Sequence, residues 1–145
     1  MNERDFLAVA KLLAGESTEA AWRSAVSRAY YAAFHVARSL LEELGFTVPR
    51  ADKAHDFLYV RLNNCGDPQV GPAGRQLKQL RDDRNQCDYN LRRLIPQHFA
   101  SSQIRVAELI IQTLDAARLE PTRTQITDAM KIYERDVLHN VTWHP

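Results

Sequence analysis

The sequence predicts an all-α fold, an up-and-down helical bundle of four main helices with flanking helices, laid out as one domain over residues 1–145. Three observations predict it. Apolar residues recur at steps of three and four along most of the chain, the apolar–polar alternation of strands is almost absent, and glycine is scarce, with five in 145 residues. The length suits one hydrophobic core. An apolar share of 45% with 26% charged residues is ordinary for a globular domain.

Asn2 is placed to cap a first helix carrying Phe6, Leu7, Ala10 and Leu13, and Gly15 ends it. Ser17 or Thr18 caps the second and longest helix, Ala20 to Leu44, which Gly45 and Pro49 close. Its apolar lines, Ala21, Ala25, Ala32, Val36 and Leu40 beside Trp22, Val26, Ala29, Ala33, Ala37, Leu41 and Leu44, cover much of its girth. Such a helix belongs inside a bundle. Ser24, Arg28, Tyr31, His35 and Arg38 form a polar seam along it. Polar groups in a bundle interior must be paired or hydrated, so the seam is either an internal network, a solvated edge, or a site.

Asp52 is placed to cap a third helix with Ala54, Phe57, Leu58, Arg61 and Leu62. Asn63 to Gly74, with Asn-Asn, Asp-Pro and three glycines, reads as a loop. The fourth helix, from about Arg75 to Leu94, has the cleanest period: Leu77, Leu80, Arg84, Cys87, Leu91 and Leu94 lie on one face. Arg84 interrupts that apolar line, so it must snorkel, pair with a buried acceptor, or face a second subunit or an anion. Asp88 is one turn on, and Asn85 and Tyr89 flank the pair. Pro96 breaks the chain, and Ser101 or Ser102 restarts it as a fifth helix carrying Ile104, Ala107, Leu109, Ile110, Ile111, Leu114 and Ala117. After Pro121 an additional C-terminal helix, about 123–141, presents the narrow stripe Ile126, Met130, Tyr133, Val137 and Val141. Trp143 either docks on the domain or joins a partner surface.

Nineteen basic against eighteen acidic residues leave a formal charge of +1, which is no global polyanion-binding signature. A local one exists: six basic residues between Arg75 and Arg93 face Asp82, Asp83 and Asp88. No apolar run spans a membrane, no leader pattern is seen, and Cys65 and Cys87 lack CxxC spacing, so a reduced cytoplasmic protein without a membrane partner is expected. No metal or cofactor is expected either. A zinc site would have to recruit distant ligands, and neither a Gly-rich phosphate loop, an HExxH motif nor a nucleophile elbow is present.

The string S27-R28-A29-Y30-Y31-A32-A33-F34-H35, then A37-R38-S39-L40-L41 and G45, then K53-A54-H55 at a helix start and R84-N85-Q86-C87-D88-Y89, resembles the HEPN family (higher eukaryotes and prokaryotes nucleotide-binding domains), above all its small prokaryotic branch. Order and spacing match over roughly Phe6 to Leu119. The resemblance implies four main helices, a homodimer, and arginine motifs meeting near the dimer cleft. It also implies a place in defence or toxin–antitoxin systems, where many members are metal-independent ribonucleases using Arg, four to six residues, then His. Arg84 and Asn85 fit the start of that motif. The histidine is missing, because positions 89 to 91 are Tyr89, Asn90 and Leu91. Arg93 to His98 has the spacing by coincidence, across Pro96.

The leading expectation is therefore a binding or accessory module that contacts RNA, a nucleotide or a protein partner such as a nucleotidyltransferase or a defence-complex subunit. The alternative is a ribonuclease with Arg84 at a dimer cleft and a non-standard acid–base group. Candidate catalytic residues are Arg84, Asn85, Asp88, Tyr89, His55 and His35, since arginine stabilises a phosphorane and histidine moves protons near neutral pH. Candidate nucleic-acid or nucleotide contacts are Arg28, Tyr31, Arg38, Lys78 and Arg81.

Overall fold

A computed structural model describes residues 1–145. Six α-helices follow in order: α1 (Asp5–Ala14), α2 (Glu19–Leu44), α3 (Lys53–Asn63), α4 (Val70–Tyr89), α5 (Gln97–Ala117) and α6 (Thr122–Tyr133), the last continued by a π-helical turn, Glu134–Leu138. There are no strands. No helix is long and apolar enough to cross a membrane. Helix α2 is the centre of the bundle, packed against α1, α4, α5 and α3. Ala25, Ala29, Ala32, Ala33 and Ala37 are all fully buried, and their small side chains let the neighbouring helices come close.

Local chemistry sets the helix ends. Asn2 Oδ1 accepts from Arg4 N at 2.8 Å while Asp5 Oδ2 accepts from Asn2 N at 3.1 Å, so the first turn of α1 is closed from both sides. Thr18 Oγ1 caps α2 through Ala21 N. Gly45 ends α2 at φ 108°, with Phe46 N donating to Leu41 O and Gly45 N to Glu42 O, the wrapped ending that favours glycine. Asp52 makes no capping hydrogen bond at α3, contrary to the expectation.

Helix α4 is displaced from its expected span at both ends. It begins at Val70, not Arg75, because Asp67 Oδ2 accepts from both Gln69 N and Val70 N at 2.9 Å. Pro72 then sits in the first turn, where its missing N–H breaks no helical bond. Gly74 is required by packing: a Cβ there would stand 2.8 Å from Leu62 Cβ and 2.9 Å from Asn63 N. The expected Asn63–Gly74 loop thus shrinks to the six residues between α3 and α4. At the other end α4 stops at Tyr89. Arg23 of α2 takes the carbonyls of Cys87 at 2.9 Å, Asn90 at 3.0 Å and Arg93. Leu91 and Leu94 consequently leave the helical line and are 80% and 77% exposed.

Helix α5 begins at Gln97, earlier than Ser101 or Ser102; Ser102 Oγ instead bonds His98 O inside the helix. The C-terminal helix is shorter than expected, since α6 ends at Tyr133 and the π-helical turn shifts the register. Val137 and Val141 become exposed, and Glu134 is fully buried. Its carboxylate accepts from Arg61 Nε at 2.8 Å, Thr142 Oγ1 at 2.6 Å, Thr142 N at 2.9 Å and Trp143 N at 3.1 Å. Trp143 docks on the domain, its Nε1 donating to Leu44 O at 2.8 Å.

Candidate functional site

The polar seam of α2 does not cross the bundle interior. Ser24 is exposed, and Arg28, Tyr31, His35 and Arg38 are half-buried along an edge of the helix, because the alanine and leucine lines take the faces toward α1, α4 and α5. That edge meets α4 at Arg84 and α3 at His55.

Arg84 is the centre of the cluster. The residue is 8% exposed, and its guanidinium carbon lies 5.3 Å from the Tyr30 ring centroid and 5.2 Å from that of Tyr31, distances at which a cation is attracted to an aromatic face. Asp88, one turn on, forms a loose ion pair with it at 3.7 Å, too far for a hydrogen bond. Arg84 Nε is buried without any partner. Asp88 instead accepts from Ser27 Oγ at 3.4 Å, and Ser27 Oγ accepts from Arg28 Nη2 at 3.4 Å. Arg28 lies over the rings of Phe6, at 5.4 Å, and Tyr31, at 5.2 Å. Tyr31 is therefore shared by two guanidiniums.

His55 completes the cluster from the first turn of α3. Its Nδ1 is hydrogen-bonded to the Tyr30 hydroxyl, and its ring packs 4.6 Å from Phe34. Burial, and then the charges of Arg81 and Arg84, hold the His55 pKa below its ordinary value. Burial raises the Tyr30 phenol pKa as well. Arg81 pairs with Asp56 at 3.1 Å, and its Nε, like that of Arg84, is buried and unpartnered. Arg84, Arg28, Arg81, Tyr31, Asp88 and His55 thus share one neighbourhood.

Of the remaining expected residues, His35 borders the cluster, its ring 6.2 Å from that of Tyr31. His35 stacks on Phe6 at 5.4 Å, and burial, then Arg38, lowers its pKa. Arg38 holds the chain after α2 through the carbonyls of Pro49, at 3.2 Å, and Val48, at 3.4 Å, and pairs with Glu42. Lys78 is exposed and pairs with Asp82. Asn85 is half-buried on α4. Tyr89, the last residue of α4, is 77% exposed. Arg93 pairs loosely with Asp83, at 4.0 Å, and covers Phe99.

Sequence reasoning missed Tyr30, Ser27 and Phe6 as site residues. Tyr30 reads as core bulk, since it follows the buried alanine period, and only its hydroxyl partner on α3 reveals another role. No group of three or more potential metal-ligating side chains converges anywhere.

The HEPN domain family model matches residues 4–117. The chain therefore belongs to the HEPN family, whose domains occur in RNA-binding, ribonuclease, defence and toxin–antitoxin modules. No match was found among curated proteins or among solved structures.

Proposed function

We propose that this HEPN domain is a binding module of a prokaryotic defence or toxin–antitoxin system that engages RNA through its phosphates, acting in the cytoplasm as a homodimer. One observation carries the reading: Arg84 is held on the faces of Tyr30 and Tyr31 with a buried, unpartnered Nε and no carboxylate within hydrogen-bond distance. A buried guanidinium in that state is unfavourable until an acceptor arrives. A phosphate supplies it, because two of its oxygens match the planar fork of arginine. Arg28 and Arg81 bring the local count to three guanidiniums against the carboxylates of Asp56 and Asp88. A nucleotidyltransferase or another defence-complex subunit is the protein partner this reading admits.

The absent motif histidine supports binding over cleavage. Among Tyr89, Asn90 and Leu91, only Tyr89 is ionisable, and a phenol is a poor base near neutral pH. A ribonuclease is the second reading, favoured by the presence of His55 in the Arg84 cluster, on Tyr30 and beside Tyr31. Fluorescence anisotropy with a single-stranded oligoribonucleotide in EDTA, run beside a cleavage assay, separates the two. Binding without cleavage, weakened at least about tenfold by Arg84→Ala, is expected from the loss of a charge-assisted contact. Arg84-dependent cleavage would select the second reading; RNA affinity unchanged in Arg84→Ala would overturn both.

A further inference from the structure

Tyr30 and His55 bear on what the site can do to a bound phosphate, an inference that rests on the RNA-binding reading above. Tyr30 is buried on α2, and its hydroxyl has one hydrogen-bond partner, Nδ1 of His55. A phenol carries one proton, and a neutral imidazole carries one proton shared between two possible nitrogens. Were that proton on Nδ1 and donated to the phenol oxygen, the phenol's own proton would lie buried with no acceptor, an unfavourable state. Donation from Tyr30 to an unprotonated Nδ1 satisfies both groups. The imidazole proton then resides on Nε2, which has no partner in the chain and is not among the sealed, unpartnered atoms.

We propose that Tyr30 locks His55 as a hydrogen-bond donor through Nε2–H, so that a phosphodiester meets an imidazole N–H beside the Arg84 fork. With Nδ1 occupied by Tyr30 and Nε2 protonated, His55 has no free lone pair with which to take a ribose 2′-hydroxyl proton. The site binds RNA phosphate and does not use His55 as a general base. Tyr30 is a positioning residue twice over: its hydroxyl sets the His55 tautomer, and its ring supports the Arg84 guanidinium at 5.3 Å.

Nitrogen-15 NMR of the histidine-labelled full chain, free of ligand, tests the lock. The expected spectrum has an imine-type Nδ1 and a protonated Nε2 for His55; the reverse pattern overturns the proposal. Tyr30→Phe keeps the ring under Arg84 and removes the hydroxyl. It is expected to mix the tautomers and weaken oligoribonucleotide binding about three- to tenfold, the worth of one hydrogen bond, with helicity unchanged by circular dichroism. His55→Gln, whose amide N–H reaches the Nε2 position, should bind within about twofold of wild type, while His55→Ala loses about tenfold. An unchanged tautomer in Tyr30→Phe, or wild-type affinity in His55→Ala, overturns it. If those two variants bind normally while Arg84→Ala does not, the lock fails and the arginine reading stands. If Arg84→Ala also binds normally, both fall.

Discussion

Two buried arginines of this chain, Arg61 and Arg84, have opposite surroundings. Arg61 is 3% exposed, and its Nε meets Glu134 at 2.8 Å. That carboxylate is fully buried and receives three further donors from the tail. Arg84 is 8% exposed, its nearest carboxylate oxygen is 3.7 Å away, and its Nε has no partner. Equal burial thus serves two ends. A saturated ion pair fixes the C-terminal tail to α3, whereas the guanidinium supported on two aromatic faces has only a loose carboxylate contact, and in the proposed reading its acceptor comes from outside the chain.

The largest effect is expected where the saturated pair is broken. Glu134→Ala strands the Arg61 charge and should remove about 3–5 kcal/mol of unfolding free energy, measured by urea titration, while leaving RNA affinity unchanged. A change below about 1 kcal/mol would mean that water satisfies Arg61 and that the contrast with Arg84 is false. Thr142→Val removes one donor to the same carboxylate and should lower stability by about 1–2 kcal/mol. Arg84→Met gives up two cation–π contacts and a loose ion pair but also removes a buried, unpartnered Nε, so a change within about 1 kcal/mol of either sign is expected.

Acid unfolding sharpens the contrast further. His55 is held below 6.5 by burial and then by Arg81 and Arg84. The unfolded chain therefore binds more protons than the folded one just under that pH, so this contribution is fully present above 6.5 and is lost as pH falls through the lower folded value. Burial pushes the Glu134 carboxyl up, but the Thr142 side-chain and backbone bonds and Arg61 together hold it below 4.5. Its contribution is present above 4.5 and is lost as pH falls through the depressed value. Urea midpoints measured from pH 8 to pH 3 should fall in two windows. Arg84→Met removes one of the charges on His55 and should raise the His55 pKa, which histidine NMR titration reads directly; an unmoved titration would detach His55 from the arginine site.

Much of the bundle was legible in the sequence, since α2 and α5 announce themselves by period and by the capping chemistry of Thr18 and Gly45. The ends of α4 were not. Asp67 and Arg23, which set them, act across a turn and from another helix, and the apolar period through Leu91 and Leu94 points the wrong way. The same limit applies to the site. Arg84 stood out as a charge in an apolar line, and Asp88 as its helical neighbour; the two do pair, but 3.7 Å makes the pair a loose one without a hydrogen bond, and no spacing rule gives that distance. Tyr30 reads as bulk, and no spacing singles out Glu134. Their partners, His55 and Arg61, lie 25 and 73 residues away, so only the tertiary fold could pair them.

The central claim is that Arg84, which has no hydrogen-bonded carboxylate inside the chain, serves a ligand, and it is tested most directly by measuring unfolding free energy and oligoribonucleotide affinity on the same Arg84→Met protein. The expected result is near-wild-type stability with affinity weakened at least about tenfold, about 1.4 kcal/mol of binding. Stability lost with affinity intact would contradict it and make Arg84 a structural residue like Arg61.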